Sequence, residues 1–253
     1  MTTIVTTSRD NCNVAYAKKL AERFSWRFIP RMQCDLQKIS LQNKCLVVEK
    51  NQLVLHFQGA ELFFHPGLSV LRILNIEVGN KDRFSEACGL RHGASLLDCT
   101  MGLGSDAITA SYVVGAEGNI VALEAAPEIA LISEVGMANF SDESEHIVSA
   151  MRRIEIINVN SRQYLLNSPG NQFDCIYFDP MFRHPNLASS GLNMLRPFAD
   201  NAEIKIEDIA LALDRTKRYV VVKETSLSFL KALQPKEILG GKNAKIFYAR
   251  WEK

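Results

Sequence analysis

Neither sign of charge dominates this chain: 29 Lys and Arg stand against 28 Asp and Glu, a net charge of +1. Global charge therefore selects no partner. The six cysteines, Cys12, Cys34, Cys45, Cys88, Cys99 and Cys175, form no CxxC pair and no regular spacing. That excludes a disulfide framework and suggests a reduced, cytoplasmic protein. The five histidines (His56, His65, His92, His146, His184) are scattered and have no cysteine at ligand spacing, so no metal is expected. No apolar run reaches the roughly 18 residues of a membrane span, and no basic segment leads into an apolar core as in a signal peptide. A membrane partner is not expected. Without a G-x-S-x-G elbow, the serine-hydrolase reading also falls.

What remains is an ordinary apolar fraction of 47% in 253 residues, enough for one large domain or a domain with a smaller companion. Residues 1–50 hold nine Lys/Arg against four Asp/Glu. That is either a solvated face or a hint of an anionic partner.

The chain begins as a small α+β unit over residues 1–65. Ile4–Thr7 is β-branched, and Asn11 or Asn13 can cap the helix in which Val14, Ala17, Leu20, Ala21 and Phe24 recur at helical spacing. Cys45–Val48 and Leu53–Phe57 suggest a hairpin, and Ala60–Phe64 a third strand. Residues 66–93 read as a helical linker. From Ala94 to Lys253 the rhythm changes to alternating strands (95–99, 119–123, 154–159, 174–178, 218–223) and helices (notably 106–114 and 127–139). Such alternation builds a parallel sheet covered on both faces. The run AKIFYARW (244–251) reads as a closing antiparallel strand.

The region is organised around LLDCTMGLGSDA (96–107): an apolar strand ending on Asp98, a turn with Gly102 and Gly104, then Ser105 and Asp106 opening a helix. Glycines allow positive φ and close backbone approach, and in open α/β sheets a nucleotide-like ligand lies at this strand end. A second acid beside the helix start is a poor host for pyrophosphate. It suits a ligand with a donating or positive end, such as the amino group of S-adenosylmethionine. Glu124 ends NIVALE and can accept from a ribose diol, or serve simply as an acid at a helix start. Asn160 and Ser161 follow the third strand, where they can meet an adenine edge or act only as turn residues.

FDCIYFDPMFRHP (173–185) carries the most specific chemistry: an apolar strand ending on Asp179-Pro180-Met181-Phe182. A base amine has its lone pair delocalised into the ring. Accepting its protons on the Asp179 carboxylate and the Pro180 carbonyl brings lone-pair density toward a methyl donor. Phe182 can stack on the base, a contact worth about 1–3 kcal/mol, and Pro180 stiffens the corner.

The chain here resembles the RsmJ (YhiQ-like) family, S-adenosylmethionine-dependent methyltransferases acting on N2 of a guanosine in small-subunit (16S) ribosomal RNA. The likeness spans about residues 83–230 through FSEACGL, DCTMGLGSDA, RIEIINVNS, YFDPMFRH and KRYVVVKE. It implies a class I Rossmann-like α/β fold, with a mostly parallel seven-stranded sheet and a small N-terminal α+β domain. It implies S-adenosylmethionine as cofactor, held at Ser105, Asp106, Glu124, Ala125, Asn160, Ser161 and Asp179. Met181, Phe182, Arg183 and His184 are expected at the acceptor side, where Arg183, His184 and N-terminal basic residues meet phosphates. Ser105, Ala125 and Arg183 depart from the family's usual Arg, Arg and Pro. Two alternatives stay open: a methyltransferase of another RNA or of a protein amide or amine, and a non-catalytic RNA-binding relative.

Overall fold

The computed structural model describes residues 2–10, 13–180, 204–241 and 244–253, so the acceptor-side candidates Met181, Phe182, Arg183 and His184 lie outside the described residues. The N-terminal part contains β1 (Thr3–Thr7), α1 (Val14–Arg23), β2 (Arg27–Phe28), α2 (Leu36–Ile39), β3 (Lys44–Val48), β4 (Leu53–Phe57) and β5 (Ala60–Phe63). They form a sheet ordered β2-β1-β3-β4-β5, with β1 parallel to both neighbours and β3–β4–β5 an antiparallel meander. Asn13 holds the N-cap position of α1, but its side chain does not cap the helix. Its backbone (φ −124, ψ 31) lies outside the extended region that aims a cap at the first amides. Its Nδ2 donates instead to the Glu49 carbonyl at 2.8 Å.

The expected helical stretch divides into α3 (Gly67–Glu77) and α4 (Arg83–Cys88). Gly79, at φ +87, closes the first. Asp82 opens the second by accepting from the Ser85 amide at 2.9 Å.

The second sheet contains β6 (Ser95–Asp98), β7 (Asn119–Glu124), β8 (Glu155–Asn158), β9 (Phe173–Phe178), β10 (Thr216–Glu224), β11 (Glu237–Leu239) and β12 (Phe247–Glu252). Its order is β11-β12-β10-β9-β6-β7-β8. Only β12 runs against its neighbours, as the closing strand was expected to do. The described helices between the strands are α5 (Ser105–Val114), α6 (Pro127–Asn139), α7 (Glu145–Arg152), α8 (Ser161–Asn167), α9 (Ile206–Arg215) and α10 (Leu227–Ala232).

Both faces of this sheet are buried, which explains its nearly continuous apolar strands. Along β9, Cys175 and Tyr177 enter one core while Ile176 and Phe178 enter the other. The first core runs without a break into the N-terminal sheet through Leu46, Leu55 and Phe64. No described helix is long and apolar enough to cross a membrane.

The strand order reverses at β6, which has β7 on one side and β9 on the other. A switch of this kind opens a crevice at the carboxyl ends of the strands.

Candidate active site

Each strand bordering that crevice ends on an acid: Asp98 on β6, Glu124 on β7, Asp179 just after β9 and Glu224 on β10. The glycine loop starts as an Asx turn, with the Thr100 amide donating to Asp98 Oδ1 at 3.0 Å. Burial pushes the Asp98 carboxyl well up, and the nearby Asp106 and Asp179 add to the effect. Gly102 sits at φ +56, and nothing lies within 4 Å of where a Cβ would stand, so the loop presents bare backbone to open space. The Gly102 amide donates to Glu124 Oε2 at 3.0 Å, and the Ala126 amide to Oε1 at 2.8 Å. One carboxylate thus ties the loop after β6 to the loop after β7. Asn158 steadies the same place by donating to the carbonyls of Glu124 (2.8 Å) and of the exposed Ala125 (3.2 Å).

Asp179 follows β9 next to this loop. Its amide donates to Thr100 Oγ1 at 2.6 Å, and its Oδ2 accepts from Lys223 Nζ at 2.7 Å. Lys223 also donates to Asp106 Oδ2 at 3.0 Å, where the Tyr177 hydroxyl donates at 2.7 Å. Arg72 of α3 donates through Nη1 to Asp106 Oδ1 and grips Asp82 with two bonds of 2.9 Å. Charges of alternating sign therefore run from Asp82 through Arg72, Asp106 and Lys223 to Asp179. Burial raises the Asp106 carboxyl, but Lys223, Arg72 and the Tyr177 hydroxyl outweigh it and hold the group well below the usual carboxylate range. Burial pushes Asp179 up to about 6; Lys223 opposes that, while Asp106 and Glu224 support it. Burial works against the Lys223 ammonium, but Asp106 and Asp179 overcome it and keep the charge.

The structure brings Asp98, Gly102, Glu124, Ala125, Asp179 and Pro180 to one rim, with Gly104 and Ser105 at the start of α5. Asp106 stands next in α5, but both of its carboxylate oxygens face protein donors, Arg72 on one and Tyr177 and Lys223 on the other. Asn160 is the N-cap of α8, its Oδ1 accepting from the Arg162 and Gln163 amides, and Ser161 is the first residue of that helix. Sequence reasoning missed Arg72, Tyr177 and Lys223. The available signal was a lone cation in each of two apolar runs, LRIL and YVVVKE. Among the described residues, no group of three His, Cys, Asp or Glu is placed to hold a metal ion.

The strand order and the acid-ended crevice define a class I S-adenosylmethionine-dependent methyltransferase. Residues 31–247 match the family model described as "Putative SAM-dependent methyltransferase", and the chain belongs to that family. It is 33% identical to the uncharacterized protein YpiP of Bacillus subtilis over 211 residues, covering 82% of each chain. It is 28% identical over 222 residues to ribosomal RNA small subunit methyltransferase J of Francisella philomiragia, covering 80% of this chain and 86% of that one. In fold it is similar to a SAM-dependent methyltransferase from Neisseria gonorrhoeae, with a TM-score of 0.64 at 17% identity, covering 98% of this chain and 95% of that one. S-adenosylmethionine is the cofactor of the chain. The open space over Gly102 and the acidic strand ends, with Asp179 the most exposed of their carboxylates, fit a group that carries a sulfonium and an ammonium.

Proposed function

We propose that this methyltransferase acts on RNA, and that its acceptor is the exocyclic N2 amine of a guanosine in small-subunit ribosomal RNA. The observation that carries the reading is the Asp179-Pro180 corner, seated beside the glycine loop by the 2.6 Å bond from the Asp179 amide to Thr100. The Francisella relative, whose name states small-subunit ribosomal RNA as its substrate, supports the choice of RNA.

Bound S-adenosylmethionine supplies an electrophilic methyl group on its sulfonium. The loop Gly102–Ser105 and Glu124 would hold its amino-acid and ribose parts, with Ala125, Asn160 and Ser161 toward the adenine. Asp179 and the Pro180 carbonyl accept the two hydrogens of the amine, which orients its nitrogen. Orientation of this kind is the main contribution such a site makes to rate. The amine loses one proton in the reaction, and the Asp179 carboxylate is placed to take it. The sequence-based assignments of Phe182 and Met181 to the base, and of Arg183, His184 and basic residues of the N-terminal domain to phosphates, belong to this proposal, and the first four lie outside the described residues.

The test uses S-adenosylmethionine tritiated in its methyl group, with small ribosomal subunits from cells lacking the gene. Label recovered in N2-methylguanosine, and lost in Asp179→Ala, is the expected result. Label in protein or in another nucleoside would overturn the acceptor assignment.

A further inference from the structure

Lys223 is a largely buried cation between two carboxylates. An ammonium withdrawn from water costs several kcal/mol unless well paired. Its side chain is 15% exposed and follows Tyr219–Val222, a run whose parallel strand needs only apolar residues. The ammonium has three donors. Two are spent, on Asp106 at 3.0 Å and on Asp179 at 2.7 Å. Asp106 is itself immobilised by Arg72 and Tyr177, so the lysine hangs from a fixed anchor. Asp179 is thereby held at two points, its backbone amide by Thr100 and its Oδ2 by Lys223. No described residue donates to Oδ1.

We infer that Lys223 is a positioning residue for methyl transfer: anchored on Asp106, its ammonium takes Oδ2 of Asp179 and leaves Oδ1 for the acceptor amine. This rests on the reading of Asp179 as the acceptor carboxylate. Lys223 has a second consequence. The groups that face Asp179 are Lys223 and Glu224 from β10, Asp106 from α5, Asp98 from β6, Tyr177 from β9 and Tyr248 from β12. Of these only Lys223 is cationic, and it keeps a partly buried carboxylate available in its charged, accepting form near neutral pH. Arg72 acts one step further out, by holding Asp106. The helices between the two sheets therefore reach the reacting corner.

The decisive measurement does not need the RNA. Protein labelled with 13C at the Asp carboxyl carbon is titrated by NMR, and the Asp179 signal is assigned by its loss in Asp179→Asn. The wild-type midpoint is expected near the value of about 6 set by its surroundings. In Lys223→Gln the midpoint should rise by about one pH unit or more, because an opposite charge this close is removed. The acid limb of kcat, measured on small ribosomal subunits lacking the modification, should move with it. At about pH 5, below both midpoints, a limb displaced by one pH unit should lower the rate about tenfold. KM for S-adenosylmethionine should stay within about twofold.

Lys223→Arg, which keeps the charge and should fold if Lys223→Gln does not, separates placement from charge. Its acid limb should stay in place while kcat falls several-fold. A wild-type midpoint in Lys223→Gln, or a wild-type kcat in Lys223→Arg, would overturn the inference. Full activity in Asp179→Asn would instead remove the acceptor reading, while the titration would still report on the Lys223–Asp179 pair.

Discussion

Two buried acids stand at the same place in consecutive strand–helix units. Asp106 is the second residue of α5, after β6, and Glu128 is the second residue of α6, after β7. They are 8% and 3% exposed, and each lies in the first turn, where the helix dipole favours an anion. Their surroundings differ. Asp106 looks toward the crevice and takes Arg72, Tyr177 and Lys223. Glu128 looks the other way, accepting from the Thr3 hydroxyl and from Lys44 Nζ at 3.3 Å, both in the N-terminal sheet. One slot carries a cation that reaches Asp179, and the other ties α6 to the N-terminal sheet. Helix position makes a buried acid tolerable. Tertiary neighbours decide what it is for.

The sharpest way to break that distinction is Asp106→Asn, which leaves Lys223 and Arg72 buried with half their compensation. The loss should be about 3–5 kcal/mol, the usual penalty for removing one partner of a buried pair. In thermal unfolding that is a fall of about 6–20 °C for a chain of this size. The effect also has a sign in pH. The folded Asp106 carboxyl lies below its unfolded value, so its contribution is complete above roughly pH 4. It is lost as pH falls through the folded value. The stability of Asp106→Asn should therefore decline less steeply than wild type on acidification. A parallel decline would mean that the ion pairs around Asp106 contribute little.

Glu128→Gln tests the other half of the comparison and should cost less. The amide can still accept from Thr3, while the bond to Lys44 loses its charge. A stability loss of about 1–3 kcal/mol is expected, with kcat within about threefold of wild type. If kcat fell more than about tenfold, the two acids would share one role, and the N-terminal sheet would have to be counted as part of the proposed site.

The two acids also show what the chain reveals when read as a string. The strand–glycine–helix run at Leu96–Ala107 was legible because its signals are local: an apolar run, an acid, two glycines, a helical period. The strands over 95–98, 119–124 and 173–178 were legible for the same reason, since both of their faces are apolar. The function of Asp106 was not, because it depends on partners 34, 71 and 117 residues away. Asp106 was read as a ligand for an amino group, and in the fold its oxygens face Arg72, Tyr177 and Lys223. Asn13 failed as a cap for a similar reason, since a carbonyl 36 residues on lies within its reach. Asp179 stands out in the sequence because proline and aromatic neighbours mark the corner. Lys223 was passed over because a lysine near the end of a strand is unremarkable until the carboxylates beside it are known.

The smallest expected effect lies where the two helices meet. Gly104 opens α5 at φ +81, and a Cβ there would stand 2.1 Å from Met137 Cε of α6. Ser133 of α6 also donates to the Gly102 carbonyl at 2.9 Å, so α6 supports the glycine loop from behind. Gly104→Ala meets two obstacles of different kinds. The left-handed backbone costs about 1–2 kcal/mol for a residue with a Cβ. The clash is with the end of a methionine, which has three rotatable bonds and can swing aside. Strain should therefore dominate and sterics should not. Comparing Gly104→Ala with the pair Gly104→Ala/Met137→Ala, each against its own parent, gives the answer. An alanine penalty that persists in the Met137→Ala background places the cost in the backbone of the loop. The affinity for S-adenosylmethionine should then weaken a few-fold in both. A penalty that vanishes would place the cost in the packing of α6 against α5, and would make the helix bearing Glu128 a determinant of the loop that precedes Asp106.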